Sequence, residues 1–153
     1  MDLRTGSHGE TFLETILERI GNTPLVRIRN LAREYPGVDI LAKAEWFNPG
    51  GSVKDRAAIR MIEDGERSGR LTKNKVILDS SSGNMAVSYS MIGAAKGYQV
   101  EMVVPGTISQ SHLATITAFG TKVIFSDPLE GSDGAIRLAH SIFEEHPGRY
   151  FMP

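Results

Sequence analysis

The stretch KVILDSSSGNMAVSYSMIGAAKGYQVEMVVP, residues 75–105, decides the fold. It opens with a short β-branched and aliphatic run, Lys75 to Leu78, bounded by Asn74 and Asp79, which reads as a strand. A polar loop, Asp79 to Asn84, follows. From Asn84 to Lys96 the residues Met85, Ala86, Val87, Met91, Ile92, Ala94 and Ala95 surround most of a helical wheel, the signature of a helix buried on several sides, and Gly97 supplies its stop. Gln99 to Val104 is a second apolar strand. Strand, helix and strand within thirty residues make one βαβ unit, and hence parallel strands.

Working outward, Asp39 to Glu45 and Thr121 to Phe125 are further short apolar runs that read as strands. Ala58, Met61, Ile62 and Gly65 mark one helix with a single buried face, and Ala135, Leu138, Ala139, Ile142 and Phe143 mark another. The alternation therefore predicts an α/β fold, an open and mainly parallel sheet flanked by helices. A helix near Thr11 to Ile20 and a short strand Leu25 to Ile28 precede it, and a strand begins near Arg149. Ligands of such sheets bind outside the carboxyl ends of the strands, so the loops Trp46 to Asp55, Asp79 to Asn84 and Pro105 to Ser109 are the ones to inspect.

Composition removes several classes of function. The chain has 153 residues, enough for one domain or for one and part of a second. With 41% hydrophobic and 23% charged residues it can bury a core, which excludes whole-chain disorder. Seventeen basic against eighteen acidic side chains give a net charge of -1, without the single-sign field that nucleic acid or an anionic membrane would require. No long apolar span appears, and Met1 to Glu10 is polar, so a cytoplasmic protein is expected. There is no cysteine, hence no disulfide, thiolate zinc site or thiol nucleophile. His8, His112, His140 and His146 show no ligand spacing, and no metal site is expected.

Two loops carry chemistry. Asn48-Pro49-Gly50-Gly51 is a turn cluster, and Ser52 with Asp55 resembles a capping box, so a helix is expected to start there with Lys54 in its first turn. The helix dipole disfavours a cation there by about 0.3 to 1 kcal/mol. A partly desolvated lysine at that position has its amine form favoured and can attack an aldehyde. The plain alternative is a solvated lysine neutralised by Asp55. In the second loop, Ser81, Ser82 and Gly83 with Asn84 place hydroxyls and free N–H groups at a helix N-terminus, which suits a small carboxylate, and the Asn84 amide could bond a phenolic oxygen. Alternatively the serines merely cap the helix. Trp46 and Phe47 border the lysine turn, either as cleft wall or as packing between lobes.

Ile20-Gly21-Asn22-Thr23-Pro24-Leu25, then Asn48-Pro49-Gly50-Gly51-Ser52-Val53-Lys54-Asp55-Arg56, then Ser81-Ser82-Gly83-Asn84, in this order and spacing, resemble the pyridoxal-phosphate (PLP) enzymes of the cysteine synthase and cystathionine β-synthase family. The likeness runs from about Thr11 to Pro153 and is nearest to cysteine synthase. It implies the small lobe of a tryptophan synthase β-like fold, with residues 1–38 belonging to a larger lobe, 39–147 forming the small α/β domain and 148–153 starting the larger lobe again. By resemblance Lys54 matches the lysine that carries PLP as a Schiff base and shuttles the substrate's α-proton. Asn84 matches the asparagine bonding the cofactor's 3'-oxygen, and Ser81, Ser82, Gly83 and Met85 occupy the loop that grips the substrate carboxylate. The implied reaction is β-replacement, cysteine from O-acetylserine or a related activated serine and sulfide, with another thiol as the nucleophile in some relatives, in a homodimer when full length.

The family's usual loop reads Thr-Ser-Gly-Asn-Thr-Gly, so Ser81, Met85 and Ala86 depart from it, and a thioether cannot donate the bond a threonine would. The family's phosphate loop and pyridine-nitrogen partner match nothing here, so the resemblance implies an N-terminal fragment. The alternatives are a cystathionine β-synthase or threonine synthase relative, and a non-catalytic α/β module that does not bind PLP.

Overall fold

The computed structural model describes residues 13–153. Expectations for Met1 to Glu10, for His8 and for the start of the helix at Thr11 lie outside the described residues. In chain order the elements are β1 (Leu25–Arg27), α1 (Arg29–Ala32), β2 (Leu41–Lys43), α2 (Lys54–Arg67), β3 (Val76–Ser80) and α3 (Asn84–Lys96). They continue with β4 (Val100–Pro105), α4 (Gln110–Ala118), β5 (Lys122–Ser126), α5 (Gly131–Glu145) and β6 (Tyr150–Phe151).

Four strands form the expected parallel sheet, in the order β5-β4-β3-β6. Its apolar residues alternate between two cores, as a pleat requires. Ile77, Val100, Met102, Val104 and Phe151 face α2, α3 and α4, where Ala58, Ile62, Ala86, Val87, Ile92 and Ile116 meet them. Val76, Leu78, Val103 and Tyr150 face α5 through Ala135 and Ala139. Strands buried on both faces read as continuous apolar runs, which is why Val76 to Leu78 and Val100 to Val104 were visible in sequence. Gly97, in the left-handed region at φ 75°, ends α3 as expected, with Tyr98 N–H closing back on the Gly93 carbonyl at 2.8 Å.

One strand differs from the reading. Asp39 to Glu45 is expected in the parallel alternation, but only Leu41–Lys43 is extended, and it pairs antiparallel with β1 in a separate two-stranded sheet. Leu41 and Lys43 are exposed and Ala42 is half-buried, so this strand lacks the two-sided burial of the sheet it was assigned to. Glu45–Phe47 is a 3-10 turn. Near the start, Ile16–Arg19 is a 3-10 turn rather than an α-helix, held by a capping box between Thr15 and Glu18. Strand pairing also joins residues on either side of positions 38/39 and 147/148, since β1 pairs with β2 and β6 pairs with β3.

Candidate active site

The lysine turn is built by side-chain hydrogen bonds from below. Asn48 is buried; its Oδ1 accepts from Gly21 N–H at 2.8 Å and its Nδ2 donates to Glu45 Oε2 at 2.8 Å. The Asn48 carbonyl then accepts from Gly51 N–H at 2.8 Å, with Gly51 at φ 80°, a conformation a side chain would strain. Arg56 donates to Glu45 at 3.0 and 3.1 Å and to Thr23 Oγ1 at 3.0 Å. That guanidinium holds the Glu45 carboxyl below the usual carboxylate range against the opposing effect of burial, with Asn48 and Thr23 adding to it. The Gly21-Asn22-Thr23 segment is thereby tied to the segment carrying Lys54.

α2 starts at Lys54, and its entry differs from a capping box. Ser52 Oγ accepts from Lys54 N–H at 3.2 Å, but the Asp55 carboxylate turns inward instead of bonding back to Ser52. It is fully buried, accepts from Gly50 N–H at 2.6 Å and lies 2.6 Å from Ser88 Oγ. Asp55 therefore has no part in neutralising Lys54. The Lys54 side chain is exposed and has no ion-pair partner among the described residues, so the desolvation expected for it is not supplied by these residues.

The serine loop sits at the carboxyl end of β3. Ser81, Ser82 and Gly83 are half-buried and Asn84, the first residue of α3, is exposed. No side chain caps α3 at Gly83, so the serines do not close its first turn, although Ser81 Oγ accepts from Gly83 N–H at 3.4 Å. A helix start left uncapped presents N–H groups and positive potential to solvent or to an anion. Ser81, Ser82 and Gly83 also line a hollow of about 250 Å³ with Pro105, Ser132 and Ile136, on the α5 side; neither Lys54 nor Asn84 lines it. Met85 is half-buried and packs against the core below α2 to α4, so its thioether contributes area there. Behind the loop, burial pushes the Asp79 carboxyl up, with the Ser80 N–H and the Tyr89 hydroxyl opposing.

What the sequence reading missed is the connection between the two loops. Ser88 Oγ lies 2.6 Å from Asp55 and 2.9 Å from the Asn84 carbonyl, so the first turns of α2 and α3 are joined through one buried hydroxyl. Its signal was present, because Ser88 and Ser90 are polar on a helix otherwise apolar all round. Trp46 and Phe47 are 61% and 58% exposed, with ring centroids 6.0 Å apart, and pack against no core of the described residues. No group of three or more metal-ligating side chains comes together among the described residues, and no helix there is long and apolar enough to cross a membrane.

Comparison with known proteins places this arrangement. The chain is 44% identical over 150 residues to a cysteine synthase of Aquifex aeolicus, covering 95% of this chain and 46% of that protein. It superposes on the crystal structure of a cysteine synthase of Entamoeba histolytica with a TM-score of 0.90 and 34% identity, over 99% of this chain and 46% of the other. A hydrogen sulfide-producing enzyme of Fusobacterium nucleatum aligns with a TM-score of 0.84 and 35% identity, over 94% of this chain and 46% of the other. The chain thus spans less than half the length of these relatives. A family model described as pyridoxal-phosphate dependent enzyme matches residues 16–153, nearly everything described above, and the chain belongs to that family.

Proposed function

We propose that this chain is the lysine-bearing part of a PLP-dependent β-replacement enzyme, which makes cysteine from O-acetylserine or a related activated serine and sulfide. The observation that carries this reading is the placement of an exposed, unpaired Lys54 at the start of α2 beside the uncapped start of α3. These residues fit the cofactor in chemistry: an accessible amine for its aldehyde at Lys54, and an exposed amide for its ring oxygen at Asn84. Bound PLP would supply an electron sink for a carbanion at the substrate's Cα.

The chain's residues supply the rest. Lys54 Nζ would tether the cofactor and, as the free amine, would accept the α-proton, a role that an ion-paired amine would fill poorly. Ser81, Ser82 and Gly83 with the first N–H groups of α3 hold the substrate carboxylate, and their fixed position orients the Cα–H bond. Met85 offers that carboxylate no donor, so the grip relies on the hydroxyls and the backbone. We assign residues 39–147 to a small domain, with 1–38 and 148–153 contributing to a larger lobe, and the full enzyme to a cytoplasmic homodimer. The hydrogen sulfide production of the Fusobacterium relative favours a second reading, in which the same site releases sulfide instead of consuming it.

The test is covalent mapping. The chain is incubated with PLP, reduced with borohydride and digested, and the labelled lysine is found by mass spectrometry. Label concentrated on Lys54 and lost from Lys54→Ala supports the reading. Label spread over the surface lysines and unchanged in the variant overturns it in favour of a module that does not bind PLP. Product analysis of the full-length enzyme, with O-acetylserine and sulfide or with cysteine alone, then separates synthesis from sulfide release.

A further inference from the structure

We infer that Asp55 and Ser88 form a positioning joint that couples the order of the lysine turn to the order of the serine loop. This rests on the function proposed for Lys54 and names two residues whose side chains are closed off from solvent.

Both side chains are completely buried, and no cation pairs with Asp55 among the described residues. One carboxylate oxygen takes Gly50 N–H at 2.6 Å, and the other lies 2.6 Å from Ser88 Oγ, which is itself 2.9 Å from the Asn84 carbonyl. The approach to Gly50 is close enough that any Cβ there would overlap the carboxylate, so the turn preceding Lys54 is shaped around Asp55. A buried carboxylate with two short bonds is expensive to expose or to leave half-satisfied. Loosening either end therefore costs the other its partner, which is the physical meaning of coupling between the two loops. Ser88 has one hydroxyl hydrogen and two acceptors beside it. An amide at position 55 would relieve this, with its oxygen toward Gly50 N–H and its nitrogen donating to Ser88 Oγ, freeing the hydroxyl for the Asn84 carbonyl. Geometry rather than charge is thus what the joint needs.

Amide hydrogen exchange on the full chain tests this without any cofactor. In Ser88→Ala, the amides of Gly50, Gly51 and Lys54, more than thirty residues away in sequence, are expected to exchange roughly tenfold faster, the size of one lost bond to a charged group. Those of Met102 and Val103 in β4 should stay within about twofold, and Asp55→Asn should keep the protection of the turn. Unchanged exchange at Gly50 to Lys54 in Ser88→Ala overturns the inference, and so does uniform acceleration that includes β4. A loss in Asp55→Asn equal to that in Ser88→Ala overturns the claim that geometry suffices. Borohydride trapping supplies an independent readout, with the Lys54 share of label falling in Ser88→Ala and retained in Asp55→Asn. If the unaltered chain takes no label at Lys54, the proposed function fails while exchange still decides the coupling.

Discussion

The two ends of the parallel sheet treat the same kinds of side chain in opposite ways. At the amino ends of the strands, polar groups are paired off. Glu101, 4% exposed, takes Arg149 at 2.8 Å, the Tyr150 hydroxyl at 3.1 Å and Lys122 at 3.3 Å; Glu66 takes Lys96 at 2.8 Å and the Tyr98 hydroxyl at 2.9 Å. At the carboxyl ends, Lys54 and Asn84 are exposed with no side-chain partner among the described residues, and burial leaves Asp79 with a raised rather than a lowered pKa. Saturated polar groups are structural, whereas groups left open hold capacity for something that arrives later. The difference makes stability and function separable by position along the same strands.

The strongest test of that separation is Glu101→Ala. It removes the acceptor of a buried tyrosine hydroxyl and of two cations that are themselves more than half exposed, and it should cost about 2 kcal/mol in denaturant unfolding. Next, base should attack the amino end. Burial and the Glu66 carboxylate push the Tyr98 phenol up to about 12 from its ordinary 10.0. Its contribution to stability is complete below pH 10 and is lost as pH rises through about 12, so a melting curve should fall across that window and fall less in Tyr98→Phe.

A third pair of variants should move in opposite directions. Burial pushes the Glu66 carboxyl up, but bonds from Lys96 and Tyr98 outweigh it and hold the carboxyl below its ordinary value, so its contribution is present above pH 4.5 and lost as pH falls through the folded value. Asp79 is raised, so its contribution is present below pH 3.8 and lost as pH rises through the folded value, which makes the ionised form a burden at neutrality. At pH 7, Glu66→Gln should therefore destabilise and Asp79→Asn stabilise, each by about 1 kcal/mol, and equal signs would break the comparison. The smallest effect is the most telling: Lys54→Ala should shift stability by less than about 0.5 kcal/mol while removing all Lys54 labelling by PLP.

The parallel sheet was legible because its strands are apolar on both faces and its helices keep a period of 3.6, so β3 to β5 with α2, α3 and α5 followed from pattern alone. β2 was misplaced because an apolar run specifies extension but not a partner, and burial on both faces is what Leu41 and Lys43 lack. Lys54, Asn84 and the serines could be placed at helix starts because those turns are punctuated by Gly and Pro. The inward turn of Asp55 was not, because a carboxylate three residues after a serine fits both a cap and a buried anchor, and only Ser88, thirty-three positions later, decides between them. The Glu45 network with Thr23 and Arg56 is likewise a contact between distant segments that local spacing cannot encode.

The sheet order β5-β4-β3-β6 has a consequence for synthesis on the ribosome. Three strands and their helices can assemble as they emerge, but the outer edge of β3 at Val76 and Ile77 stays bare until Tyr150 and Phe151 arrive from beyond α5. Until then a nascent chain carries an apolar strand edge that any other extended segment could occupy. Loss of the Tyr150 and Phe151 pairing would make that transient hazard permanent.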